Sequence, residues 1–138
     1  MTRRPPATDP APGPGGLTVQ ARPWARGTVL ALSGELDLDS VDVLREALDA
    51  ALAAPATIVV IDCAGLEFCD STGLDAMLRA QTRAEARGSR IELARPRPPV
   101  LRMLELTGAA DVLPVGDVPP SGPGRPTGRG VNSTQDGE

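Results

Sequence analysis

The segment 68–74 has the sequence Phe-Cys-Asp-Ser-Thr-Gly-Leu and carries the hydroxyl groups best placed to undergo chemistry. It follows a β-branched run and precedes residues with helical periodicity, so we predict that Ser71 lies at the N-terminus of a helix. Free backbone N–H groups at such an end stabilise negative charge, and a phosphate on Ser71 would be favoured there. That phosphate would add about −1.5 to −2 charges beside Asp70 and Asp75. From the residues alone an unmodified helix cap is the simpler interpretation, since Asp and Ser are both preferred at caps.

Composition excludes several kinds of catalytic and metal site. The 138 residues contain no His, Lys or Tyr, and all 14 basic residues are Arg. The chain therefore cannot build a Ser-His-Asp triad, a Schiff base or a Walker-type phosphate loop, and two Cys without His cannot complete a four-ligand structural zinc site. Three neighbouring carboxylates lack the spacing of a calcium loop and are explained by helix capping: Asp37, Asp39 and Asp42. We expect a protein that is not an enzyme and needs neither metal nor cofactor.

Charge and aromatic content argue against a nucleic-acid partner. The net charge is −4, and Trp24 and Phe68 are the sole aromatic residues, so neither a basic patch nor a stacking platform is available. Cys63 and Cys69 could form a disulfide, but without a secretory signal we expect free thiols. Cys69 could instead be a reactive thiol. Asp70 beside it would raise its pKa, which favours a small apolar role.

Periodicity places the candidate serine within an alternating pattern of strands and helices. We predict the order ββαβαβαβ, with strands at 17–21, 28–32, 57–61, 91–93 and 111–115, and helices at 39–54, 71–87 and from Pro98 to Gly108. Residues 62–70 are expected to form a loop, and Asp39 or Ser40 to cap the first helix. Such alternation indicates an α/β domain whose sheet is mixed but mostly parallel, with helices packed against it.

The two ends of the chain differ from its middle. Gly and Pro number 15 each, and they are concentrated in the first 16 residues and after residue 113. Segments of this kind bury too little apolar surface to fold, so we predict a disordered head at 1–16, one domain at 17–115 and a disordered tail at 116–138. The head lacks the apolar run of a secretory signal, and no stretch is long enough to span a membrane. We therefore expect a cytoplasmic protein with no membrane contact.

Four segments carry a family resemblance that covers nearly the whole predicted domain. Residues 62–74, Asp-Cys-Ala-Gly-Leu-Glu-Phe-Cys-Asp-Ser-Thr-Gly-Leu, closely resemble the signature of the STAS-domain anti-sigma factor antagonists. The likeness continues upstream in Leu-Ser-Gly-Glu-Leu-Asp at 32–37, and downstream in 88–91 and 100–108.

The resemblance implies a partner-switching protein. In that family the unphosphorylated antagonist binds an anti-sigma factor that is itself a serine kinase, which frees the sigma factor; phosphorylation abolishes binding and a phosphatase restores it. Carried onto this chain, it implies that Ser71 is the phosphoacceptor and that Asp70, Thr72 and Gly73 shape its loop. Asp37 would belong to the surface facing the kinase. Thr72 is a second candidate acceptor, and the kinase would supply ATP and Mg²⁺.

Departures from the family leave two points open. The family often has a further helix after the last strand, whereas residues 116–138 are rich in Gly and Pro, so we expect no helix there. The domain then either exposes an apolar patch or uses the tail in another way. An alternative function is that of a STAS module acting as a structural or ligand-sensing subunit of a transport complex.

Overall fold

Five strands and three α-helices form in the part of the chain that the structure describes. This computed structural model describes residues 16–120, and most of the predicted head and tail lies outside them. The elements are β1 (Leu17–Trp24), β2 (Gly27–Leu36), α1 (Val41–Ala51), β3 (Ile58–Cys69), α2 (Ser71–Glu85), β4 (Arg90–Ala94), α3 (Pro98–Thr107) and β5 (Val115–Gly116), with a 3-10 turn over Ala109–Asp111. The predicted order ββαβαβαβ is confirmed.

The strands form one mixed sheet in the order β1-β2-β3-β4-β5. β1 and β2 form an antiparallel hairpin, whereas β2, β3, β4 and β5 run parallel to one another. Each parallel pair is joined by a helical crossover, as parallel strands require. The predicted fold class, an α/β domain with a mostly parallel sheet, is therefore confirmed.

The helices and one face of the sheet share a single aliphatic core. Strand residues of this core include Leu30, Leu32, Val59, Ile61, Ile91 and Leu93. The apolar stripes of the helices meet them through Val41, Leu44 and Leu48 of α1, Leu74, Met77 and Ala84 of α2, and Val100 and Leu104 of α3. The spacing of three and four residues that predicted the helices is the spacing of their buried side chains.

Gln81 interrupts the apolar stripe of α2 and is nevertheless buried. Its side-chain amide donates to the carbonyl oxygens of Ile91, at 2.9 Å, and Val112, at 3.0 Å. Its Oε1 accepts from the Ile91 N–H at 2.8 Å. The side chain thus satisfies its polar groups while tying α2 to β4 and to the segment before β5.

The prediction of a loop over 62–70 was wrong for most of its length, because β3 continues to Cys69. The extension pairs with β2, with Gly65 opposite Ser33 and Cys69 opposite Leu36, and the register shifts twice along the way. These irregularities obscure the strand pattern in the sequence, although Leu66 is fully buried like the preceding strand residues.

The last predicted strand was placed too early. Residues 109–111 form the 3-10 turn, Leu113 is buried in the core, and β5 consists of Val115–Gly116 alone. Pro114 lacks an N–H, and its carbonyl accepts from the Leu93 N–H at 2.7 Å. β5 lies at the edge of the sheet, as expected for a strand next to Pro114.

Candidate functional site

Ser71 is the first residue of α2 and is exposed. Asp70 precedes it as the N-cap residue in an extended conformation, and its Oδ1 accepts from the Gly73 N–H at 3.0 Å. The Asp70 carbonyl accepts the first helical hydrogen bond, from the Leu74 N–H at 3.0 Å. Within the described part of the chain the Ser71 hydroxyl makes no hydrogen bond. The neighbouring Thr72 is half-buried.

Backbone pairing with β2 fixes the entry to α2. Cys69, the last residue of β3, pairs with Leu36. The Asp70 N–H then donates to the Leu36 carbonyl at 3.1 Å. The helix therefore starts immediately where the sheet ends, without an intervening loop. Ser71 is held at the carboxyl end of the central strands, where α/β proteins commonly place functional groups.

Gly73 permits the first turn of α2 to approach the sheet. The residue is buried, and a Cβ at this position would lie 2.5 Å from Leu36 Cγ and 3.1 Å from Cys69 Sγ. The first of these distances is too short for carbon atoms, so a larger residue requires the helix or Leu36 to move. Glycine is explained here by close packing.

Asp37 lies between β2 and α1, directly after the residue whose carbonyl receives the Asp70 N–H. Its Oδ1 accepts from the N–H groups of Asp39 and Ser40, each at 3.1 Å, and from the Ser40 hydroxyl at 3.2 Å. Ser40 is the N-cap residue of α1, but its hydroxyl donates to the Glu35 carbonyl at 2.8 Å. Ser40 is thus the N-cap residue of α1, as predicted, but its side chain makes no capping hydrogen bond, and the Asp37 carboxylate holds the turn that precedes the helix.

The five predicted site residues therefore come from two connected places. Asp70, Ser71, Thr72 and Gly73 form the start of α2, and Asp37 lies at the neighbouring end of β2. The Asp37 carboxylate is directed into the turn that starts α1, so its contact with a partner stays a prediction.

Two exposed apolar side chains at this end of the sheet were not among the residues predicted to bind a partner. Leu38 is 72% exposed in the turn after β2, and Phe68 is 48% exposed near the end of β3. Leu38 fits no strand or helix pattern, and that mismatch is the signal that could have identified it. Both residues lie near the ends of the paired strands β2 and β3, and exposed apolar side chains that form one patch are typical of protein interfaces.

Acidic groups accompany these apolar residues. The exposed carboxylates around the start of α1 and α2 are those of Asp39, Asp42, Glu67 and Asp75. Two arginines partly neutralise them, since Arg45 lies 3.0 Å from Asp42 and Arg79 lies 2.6 Å from Asp75. We call the surface formed by Leu38, Phe68, Ser71 and these carboxylates the switch end.

Cys69 lies behind the switch end as a neutral thiol. Both cysteines are free, as predicted. Burial, and then the charge of Asp70, raise the pKa of Cys69 to about 12. Burial also dominates at Cys63, and with Asp62 and Cys69 it raises the pKa of that thiol to about 12. Neither thiol is a nucleophile near neutral pH, because the thiolate is the reactive form.

An ion pair that the sequence did not indicate lies on the sheet away from the switch end. Asp62 is buried in β3, and its Oδ2 lies 2.8 Å from Nη2 of Arg95. Its Oδ1 accepts from Arg95 Nε at 3.2 Å and from the Ala64 N–H at 3.2 Å. The pairing joins residues 33 positions apart, and this separation hid it from analysis of local patterns.

Neither a cluster of metal ligands nor a membrane-spanning helix occurs among residues 16–120. No group of three or more Cys, Asp or Glu side chains in residues 16–120 is arranged to hold a metal ion. No helix in that range is long and apolar enough to cross a membrane.

Comparison with known proteins identifies similar chains. The family model described as "Mlab, STAS domain" matches residues 21–114. An anti-sigma F factor antagonist of Paenibacillus polymyxa is 30% identical over 90 residues, which cover 64% of this chain and 77% of that one.

Solved structures of two proteins share the fold. An anti-sigma factor antagonist from Mycobacterium paratuberculosis superposes with a TM-score of 0.69 at 24% identity, covering 78% of this chain and 92% of that one. The anti-sigma factor antagonist SpoIIAA in its unphosphorylated form gives a TM-score of 0.61 at 26% identity, with coverage of 71% and 87%. Its phosphorylated form, described as a Bacillus cell fate determinant, gives 0.57 at 25% identity, with coverage of 71% and 90%.

Proposed function

Because the chain belongs to the STAS-domain family, we propose that it is an anti-sigma factor antagonist that phosphorylation of Ser71 switches off. In its unphosphorylated form it binds an anti-sigma factor of the serine kinase type, and this releases the sigma factor. A phosphatase restores the binding form. The chain is the substrate in this cycle and acts in the cytoplasm as a binding protein, not as an enzyme.

The observation that carries this proposal is that Asp70, not Ser71, caps α2, so that the Ser71 hydroxyl is free to react. Asp70 caps α2 with its own carboxylate, whereas the Ser71 hydroxyl is exposed and unbonded within the described residues. A plain helix cap therefore accounts for Asp70 and leaves the hydroxyl of Ser71 without a structural role. Thr72 is half-buried, and this favours Ser71 as the acceptor of a phosphate from a bulky enzyme.

The transfer itself requires no catalytic group from this chain. Ser71 Oγ forms a bond to the γ-phosphorus of ATP held by the partner, and the bond from that phosphorus to the β–γ bridging oxygen breaks. The hydroxyl proton passes to a carboxylate of the kinase, and ADP leaves. The absence of His and Lys from the chain is compatible with this role.

A phosphate on Ser71 would change the switch end without refolding it. The N-terminus of α2 favours an anion, so the modified residue can keep its place in the helix. The added charge, about −1.5 to −2, would lie at the same end of the sheet as the exposed carboxylates, the Phe68 ring and the Leu38 methyl groups. A partner surface that packs on those apolar groups would have to desolvate the phosphate, so binding is lost.

Phosphorylation by the cognate kinase with ATP tests the proposal directly. We expect intact-mass spectrometry to show the addition of one phosphate to the wild type and to Thr72→Ala, and none to Ser71→Ala. Thr72→Ala is the matched control, because it removes the adjacent hydroxyl from the same helical turn. Equal modification of Ser71→Ala and the wild type would contradict the assignment.

A pull-down separates the proposal from the alternative of a transport-complex subunit. We expect Ser71→Ala to retain a kinase-type anti-sigma factor and Ser71→Asp to lose it. Recovery of transporter subunits by both variants would instead favour the alternative.

A further inference from the structure

The face of the sheet opposite the core is also buried, although none of the described helices packs on it. Val29, Ile58, Val60 and Ala94 form a second apolar cluster there, and their side chains are between 1% and 6% exposed. Trp24 packs against this cluster, and its Nε1 donates to the Ile58 carbonyl at 3.3 Å. A sheet face open to water would leave these side chains far more exposed, so another part of the chain covers them.

The segment 117–120 connects the two edges of the sheet on that face. It leaves β5 at Gly116, beyond β4, and the Pro120 carbonyl accepts a hydrogen bond from Nη2 of Arg22 in β1. Side chains alternate along a strand, so Arg22 lies on the same face as Trp24, and Val19 faces the helices. Pro119 and Pro120 are half-buried at the end of this path.

The segment 117–120 is so short that it can reach Arg22 from β5 only by running straight across the sheet. Neighbouring strands lie about 4.8 Å apart, which puts β5 about 19 Å from β1. Four extended residues span at most about 14 Å, and the Arg22 side chain must bridge the remainder. In the register Arg22 is opposite Val29, Val29 is opposite Val60, and Val60 is opposite Glu92. The segment therefore crosses the sheet over the second apolar cluster.

The two prolines of the segment suit this position, whereas Asp117 and Val118 face solvent. Proline has no N–H, so Pro119 and Pro120 leave no donor unsatisfied when they lie on apolar side chains. The Pro120 carbonyl faces the guanidinium of Arg22, which supplies the hydrogen bond.

We propose that residues 117–120 are a strap that takes the place of a second helical layer, covers the cluster around Val60 and closes this face to other proteins. The occupant of the face is thus the chain's own segment. Partner binding is then confined to surfaces outside this face, which include the switch end.

Trp24, the single tryptophan of the chain, lies on the covered face and reports on the strap. We compare the full chain with one truncated after Pro120 and one truncated after Gly116. Relative to the full chain, truncation after Gly116 is expected to shift the Trp24 emission to longer wavelength, increase its quenching by acrylamide and promote self-association in sedimentation. Truncation after Pro120 is expected to change none of these. Identical behaviour of the two truncated chains would overturn the proposal.

A substitution in the full chain keeps the test decisive if the shorter chain does not fold. Arg22→Met retains the aliphatic stem and removes the donor to Pro120, so we expect increased acrylamide quenching of Trp24. Arg102→Met, at an exposed position on α3, is the control. Quenching that Arg22→Met leaves at the wild-type value would refute the strap. Phosphorylation of Ser71 is expected to be unchanged in Arg22→Met, so the outcome is independent of the proposed switch.

Discussion

Gly73 lies where the first turn of α2 meets the end of β2, and its hydrogen atom occupies space that a methyl group cannot share with Leu36. Gly73→Ala gains about 1 kcal/mol of helix propensity but forces an overpacked contact that typically costs about 1–3 kcal/mol. We expect a net loss of about 1 kcal/mol in the free energy of unfolding, measured by urea denaturation. Phosphorylation of Ser71 should also slow, because the helix start that presents it is displaced.

The neighbouring leucine provides the control for this prediction. In a Leu36→Ala background the two atoms nearest the added methyl group, Cγ and Cδ2 of Leu36, are absent, so Gly73→Ala is expected to cost less than it does alone. A double-mutant cycle measures this coupling. Strict additivity of the two changes would show that the close approach to Leu36 is not the reason for glycine.

Individual site residues differ in how far the sequence could identify them. Ser71 and Asp70 were predictable, because a helix cap is a local feature of neighbouring residues. The bonds by which Asp37 holds the turn before α1 were missed, because only the conformation of that turn directs its carboxylate to the N–H groups of Asp39 and Ser40. The exposure of Leu38 follows from tertiary packing, and its one local signal is that it fits no strand or helix pattern.

At the scale of elements, the continuation of β3 beyond Ile61 places the carboxylate of Asp62 in a buried position within the sheet. Burial raises the pKa of Asp62, but the hydrogen bonds from Arg95 and the Ala64 N–H more than offset this and hold its pKa below 3.8. A carboxyl group with a lowered pKa in the folded state adds stability that is fully present above pH 3.8. That stability is lost as the pH falls through the folded value.

Asp62→Asn tests this account of the strand extension. We expect the variant to unfold at lower urea concentration than the wild type at neutral pH, because Arg95 loses its charged partner. The difference should shrink in strongly acidic solution, where Asp62 is protonated in both folded and unfolded wild type. Asp111→Asn, at an exposed position, should show neither effect. A destabilisation that is equally large in strong acid would contradict the pairing.

The strands and helices were predictable to different degrees. All three helices appeared in the sequence because each shows one buried stripe at helical spacing and two of them end near glycines, Gly88 and Gly108. The second half of β3 was missed because β3 itself carries an extra residue at two places opposite β2, which breaks the expected alternation. The position of β5 was predicted too early in the chain, because a strand of two residues shows no alternation of apolar and polar side chains. Leu113 is buried but belongs to no strand.

At the scale of the whole molecule, the three kinds of surface have different chemistry. One face of the sheet is covered by helices, and the opposite face is crossed by the segment 117–120. The switch end combines exposed Leu38 and Phe68 with carboxylates, in a chain whose net charge is −4. A partner surface that complements it would be basic with an apolar depression, and attraction between the opposite charges would hasten association.

Binding of the anti-sigma factor should therefore depend on both components of the switch end. Truncation of a central aromatic contact typically costs at least about 2 kcal/mol, so Phe68→Ala is expected to weaken binding on the order of 30-fold in isothermal titration calorimetry. Leu106→Ala, at an exposed position on α3, is the control and should bind normally. Raising the salt concentration should slow association of both, because screening reduces the attraction between an acidic and a basic surface. Wild-type affinity in Phe68→Ala would place the partner elsewhere on the molecule, and association insensitive to salt would rule out a basic partner surface.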